Sequence, residues 1–455
     1  GDSLCEPDKY DLARDLLKKA EDKGVKVYVD GALQLKADKK LGNEGYAIQI
    51  KDRVILTAPT TKGLFWATRT LLQLAEQAYC AVLADPARRD DRCALQGLAS
   101  LYYRDYMVRF TSRPFGALPY DKQECFQKAR DTLELLLEKG RQPEQLYRYA
   151  QILYRNAKDG QGQGDFAALC RQKEQAYRVY DETVSLLEKW GPADKGLYCR
   201  ACYGLSRCGL ESFSLNSFVL EELMLVFSVP SSVYGSRGGH LARLRRIYDC
   251  LERVLEIEGL PRHIEDMAAV IQAKQAYEKS WDIYYLLGKL FDCAGQFSLC
   301  HNKESARRLA ERYYSYACEI DAARRRAQQR VPGFQHMYTA LLTFYQRHRR
   351  EDQFYAAWEQ YHPLVGFSAE FHFLSQARWL IIRKEYEAAR HYLAAQLQER
   401  QWSHSVVRRA VVLQDMVQVA ISGSTTGLQG IYKPFQMQQL DKISRQEPYM
   451  SLCRG

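Results

Sequence analysis

Cys199 and Cys202 form a C-x-x-C with Cys208 six residues on, and Cys293, Cys300 and His301 make a second group of soft donors. Thiolate sulfur and imidazole nitrogen are zinc ligands, and a closed structural zinc site takes four of them at defined spacing. The first group stops at three, with no second C-x-x-C-like pair. In "LYCRACYGLSRCGL" the same small thiols also suit the crowded contact between packed helices. No metal or other cofactor is therefore expected, and Cys199, Cys202 and Cys208 are the candidates should one bind. A thioredoxin-like use of the pair lacks its βαβ context. The nine histidines form no H-E-x-x-H and no nucleophile elbow, so neither zincin nor acyl-transfer chemistry is expected.

Arginine supplies the other chemistry. It clusters at Arg243, Arg245 and Arg246, at Arg307 and Arg308, at Arg324 to Arg326, and at Arg347, Arg349 and Arg350, with aromatic residues between. Guanidinium forks bind carboxylate and phosphate bidentately. Such clusters fit an acidic peptide or a phosphate backbone, although for any one of them a solvated outer face is the commoner arrangement. The candidate partner-binding residues are Tyr149, Tyr177, Tyr180, Arg307, Arg308, Arg347 and Arg350. The net charge of +10 falls almost wholly beyond residue 90. That excess steers acidic partners and leaves nucleic acid as a less favoured partner.

These side chains must be positioned by helices. The first 85 residues, which precede them, read as a small α/β module. It opens with a helix from Asp8 to Lys23, where Leu12, Ala13, Leu16, Leu17 and Ala20 share one face, and continues as a strand "VKVYV". Then "YAIQI" and "RVILTA" flank a two-residue turn at Lys51-Asp52. A helix from Lys62 to Cys80 follows, capped by Thr60 or Thr61. From about residue 90 strand signals vanish. Leu146, Tyr149, Ala150, Leu153 and Ala157 trace one helical stripe, and Leu169, Ala176, Tyr177, Tyr180, Val184 and Leu187 trace the next. Breaks are expected at 159–165, 229–239 and 422–427, with a poorly ordered tail over 422–455.

Three stretches resemble known families. Residues 1–29, through Ser3-Leu4, Asp8-Lys9, Leu16-Leu17 and Gly24-Val25, resemble an internal helix-and-strand segment of phosphoglycerate kinase. It brings no phosphate cradle. Residues 44–74, through Glu44, Gly45, Tyr46, Gly63, Leu64, Phe65 and Trp66, resemble the non-catalytic N-terminal domain of bacterial-type β-N-acetylhexosaminidases. In that family the chemistry belongs to a following barrel with an Asp-Glu pair. The one Asp-Glu pair here, Asp181-Glu182, lies in mid-helix, where solvated carboxylates are expected. Residues 95–420 resemble tetratricopeptide-like repeats, best over 370–400, where Phe373, Ala377 and Leu380 meet Tyr386, Ala389 and Leu393 across a tight Arg383-Lys384-Glu385 break. Two unrelated likenesses within 90 residues also fit a recombined chain.

A chain of 455 residues with 46% hydrophobic and 26% charged side chains can bury more than one core. No apolar run approaches the roughly 18 residues that a membrane span needs. No basic-then-apolar leader precedes the first expected helix, and thirteen scattered cysteines fit reduced thiols in the cytoplasm better than a disulfide framework. The expected architecture is mainly α: a helical-repeat solenoid over 90–421 after the module at 1–85. The expected function is a non-catalytic scaffold binding a peptide or partner protein in a helical groove, an acidic one being among the partners that arginine would suit. The alternatives are a hexosaminidase-derived fragment without its barrel, and nucleic-acid binding through the basic helices.

Overall fold

The computed structural model describes residues 47–50, 54–57, 61–108, 118–159, 166–191, 194–213, 222, 225–227, 237–265, 280–296, 302–327 and 335–425. The chain is mainly helical and divides into two units, Gly1–Ala193 and Asp194–Gly455. That division falls inside the expected 90–421 helical domain. The helix and strand expected over 8–29, Cys300, His301, and most of the tail lie outside the described residues.

In the first unit, strands β1 (Ala47–Ile50) and β2 (Val54–Thr57) pair antiparallel, with Ile50 opposite Val54. Three residues therefore separate the strands, one more than the expected two-residue turn. Helix α1 (Thr61–Ala84) starts within one residue of expectation and runs four residues beyond Cys80. It packs on α2 (Arg92–Val108), which is followed by α3 (Lys122–Glu138), α4 (Pro143–Asp159) and α5 (Phe166–Trp190).

Local chemistry explains these starts. The Asp121 side chain accepts from the Glu124 amide at 2.8 Å, and the Glu124 side chain accepts in return from the Asp121 amide, a reciprocal cap for α3. Pro143, which has no amide hydrogen to leave orphaned, opens α4. Each of α2 to α5 packs on its sequence neighbour, and α2 also reaches α4. The stripe of Leu146, Tyr149, Ala150, Leu153 and Ala157 is buried as its spacing requires.

The second unit contains α6 (Lys195–Phe213), α7 (Arg237–Glu258), α8 (Ser280–Gln296), α9 (Lys303–Arg326), α10 (His336–Arg347), α11 (Glu351–Val365), α12 (Ala369–Ile382), α13 (Tyr386–Glu399) and α14 (His404–Ser422). The expected break over 229–239 ends sooner than its glycines suggest, because Gly238 and Gly239 already belong to α7. The break at 422–427 falls where expected: Gly423, left-handed at φ 64°, closes α14. Helices α8 and α9 approach so closely at Gly288 that a β-carbon there would sit 2.6 Å from the Tyr314 ring, so only glycine fits.

Two turns share one geometry. At the end of α10 the Arg350 amide donates to the Tyr345 carbonyl and Arg349 is left-handed at φ 59°; at the end of α12 the Glu385 amide donates to Leu380 and Lys384 is left-handed at φ 64°. Both are six-to-one helix closures. They lie 35 positions apart, from Arg349 to Lys384. The second falls on the expected Arg383-Lys384-Glu385 break.

A buried polar node joins α8, α9 and α10. Asp292 accepts from Arg347 Nη1 at 2.7 and 2.6 Å, and Tyr314 OH lies 3.4 Å from its Oδ2. Beside it, burial holds the His348 pKa down to about 4 from its ordinary 6.5; Asp292 pulls upward, while Arg347, Arg307 and Arg350 add to the lowering. A histidine kept neutral by folding binds its proton first in the unfolded chain. Its contribution is therefore complete above about pH 6.5 and is lost as pH falls towards 4. The second unit is expected to lose on the order of 2–3 kcal/mol over that window. His348→Gln should flatten the slope in urea melts taken at pH 7, 5.5 and 4.5; an unchanged slope would assign it to other groups.

Candidate functional site

Helices α12, α13 and α14 pack on one another in every pairing and enclose an apolar cluster. Among the described residues, that cluster draws on 373–421 and on one foreign stretch: Leu225, Val226 and the half-buried Phe227. Glu222, three positions before Leu225, is fully buried.

Arginine holds this stretch at both ends. Arg378, on the buried side of α12, donates from Nε to Glu222 Oε2 at 2.8 Å and from Nη2 to Oε1 at 2.6 Å. Arg409 of α14 adds a bond to Oε1 at 2.8 Å. Burial alone would raise the Glu222 pKa, but the two guanidinium groups outweigh it and hold the carboxyl below its ordinary value of 4.5. At the other end, Arg349 Nη1 donates to the Leu225 carbonyl at 2.8 Å and Nη2 donates to the Val226 carbonyl. The left-handed backbone at Arg349 turns that side chain away from the paths taken by Arg347 and Arg350. Cationic groups at the Leu225 and Val226 carbonyls and around the Glu222 carboxylate match the charge of each group they meet.

The expected site residues are divided between the two units. Tyr149, Tyr177 and Tyr180 lie in the first unit, with their side chains buried. Tyr149 OH donates to Glu134 at 2.6 Å and accepts from Gln175, and the Tyr180 ring meets Tyr147 edge-on. They pack helices rather than line an open trough, because the stripe that carries them is the stripe that faces the neighbouring helix. Arg347 is committed to Asp292, Arg350 to Glu311, and Arg307 lies 3.7 Å from Glu304. Arg308 is exposed. The residue of this run that meets the docked stretch is Arg349. Neither Arg378 nor Arg409 was among the expected residues: Arg409 sits in the pair Arg408-Arg409, which went unweighed, and a lone arginine in the apolar run "FLSQARWLII" is the sequence feature that marks Arg378.

The remaining candidates resolve into packing. Cys199, Cys202 and Cys208 are buried, and the Cys202 thiol sits against Cys250 of α7. Burial pushes Cys199 up to about 11, which favours the thiol over the thiolate that zinc takes. Among the described residues no group of three or more His, Cys, Asp or Glu is arranged to hold a metal ion. Glu182 of the Asp181-Glu182 pair takes both arms of Arg141. No described helix is long and apolar enough to cross a membrane.

Residues 5–89 match the family model of glycosyl hydrolase family 20, domain 2. The match supports the hexosaminidase-like reading of the opening, extends it through the stretch that resembled phosphoglycerate kinase, and leaves the helical remainder unassigned. Neither the curated proteins nor the solved structures contain a match to this chain.

Proposed function

We propose that this chain is a non-catalytic protein-interaction scaffold whose helices stack as a tetratricopeptide-like solenoid and bind an acidic peptide or partner helix in a groove. The observation that carries the reading is that Glu222 and the apolar Leu225 to Phe227 are held by Arg378, Arg409 and Arg349 against α12 and α14. The paired turns at Arg349 and Lys384 support the repeat, since hairpins that recur with one closure geometry stack with a regular offset. Helix-in-groove recognition uses anchors at i, i+3 and i+4, the spacing of Glu222, Leu225 and Val226.

An array of immobilised twelve-residue peptides, graded from basic through neutral to acidic and apolar, tests the reading. The purified full chain should be retained by the acidic, apolar members; failure to retain any of them would sink it. The match over residues 5–89 supports a second reading for the opening alone, a module derived from a carbohydrate-active enzyme. Retention of the full chain on an immobilised N-acetylglucosaminide would favour that reading.

A further inference from the structure

We propose that Glu222 and Leu225 to Phe227 are an internal occupant of a peptide site built by α12 and α14, and that the external ligand is a short helix with Glu at one position and apolar residues three and four places later. This rests on the scaffold reading and adds the location, the ligand pattern and a means of control: the chain's own segment competes for the groove.

Three features separate an occupant from ordinary core. Helices α12, α13 and α14 already pack on one another without the segment, and the described cluster they enclose contains no other residue from outside 373–421. The segment reaches it from 156 positions before Arg378 and 187 before Arg409. Recognition is also of the kind a diffusing helix would meet: a carboxylate in a double guanidinium clamp, two apolar side chains in the cluster, and two carbonyls closed by Arg349. Every contact is to a feature that any peptide with the same pattern would present. A cis segment at high effective concentration then lowers the apparent affinity of an outside peptide until its own glutamate is lost.

The probe is a fluorescein-labelled synthetic peptide spanning residues 217–229, with the full-length chain as receptor and anisotropy as readout. Wild type should bind weakly, and Glu222→Gln in the chain should tighten binding at least tenfold by releasing Arg378 and Arg409. The same substitution in the peptide, or Arg378→Gln added to the chain, should abolish the gain. Because the chain variant could lose its fold, a photo-crosslinking version of the peptide is also applied in excess to the unaltered protein. Crosslinks within 369–422 or to the turn at 347–350 support the site; crosslinks elsewhere, or none, overturn it. Peptides that the array retains with undiminished affinity for Arg378→Gln would leave the scaffold standing and remove this assignment.

Discussion

Arg378→Ala lowers the stability of the second unit by about 3–5 kcal/mol, the usual cost of leaving one partner of a buried ion pair behind. Glu222 has no exposed surface, and after the substitution its carboxylate keeps a single guanidinium where it had two. Replacing both partners by apolar residues, Glu222→Leu with Arg378→Met, should recover most of the loss, because desolvation of both charges is then avoided. The size of the coupling in that cycle, followed by urea unfolding, measures the pair directly. A single variant within about 1 kcal/mol of wild type would show the clamp to be energetically idle. The pH arm has a definite sign: a carboxyl held below its ordinary value contributes above pH 4.5 and loses that contribution as pH falls through the folded pKa. Acid should therefore weaken wild type more steeply than the apolar double variant.

Trp379→Ala should cost about 3–5 kcal/mol as well, for an unrelated reason. The side chain is 1% exposed and packs edge-on against Phe354 with ring centroids 5.4 Å apart, so truncation opens a cavity between α11 and α12. Its indole Nε1 is buried with no hydrogen-bond partner among the described residues. Trp379→Phe keeps most of the ring and deletes that donor, and should remain within about 1.5 kcal/mol of wild type. If phenylalanine cost as much as alanine, a bond to the indole nitrogen would have to be holding the helices together. Thermal melts of the three proteins decide between cavity and bond.

The sequence made local order legible and left distant pairing hidden, for a physical reason. Periodicity reports which face of a helix is buried, and the stripe from Leu146 to Ala157 is buried throughout. It does not report what the face meets, so Tyr149, Tyr177 and Tyr180 read equally well as groove anchors and as core. The run Arg347, Arg349 and Arg350 looked like one basic patch. Its members straddle a helix closure, with Arg349 alone left-handed, and reach Asp292, the carbonyls of Leu225 and Val226, and Glu311. Their partners lie tens to more than a hundred positions away, beyond the reach of any local pattern. The break at Arg383-Lys384-Glu385 was legible because charge interrupting two apolar stripes is a short-range signal. The hairpin was legible for the same reason, save for its length, which the register fixes and composition does not.

The two matched turns place opposite demands on one backbone. A left-handed residue with a side chain costs about 1 kcal/mol relative to glycine, so the backbone alone would favour glycine at both Arg349 and Lys384. At Lys384, an exposed residue, only the backbone term and surface contacts are at stake. At Arg349 the disfavoured conformation is what carries a guanidinium to two carbonyls more than 120 positions earlier in the chain. The same bend is a plain corner in one hairpin and a latch in the other, and drift towards the comfortable residue would loosen only the second.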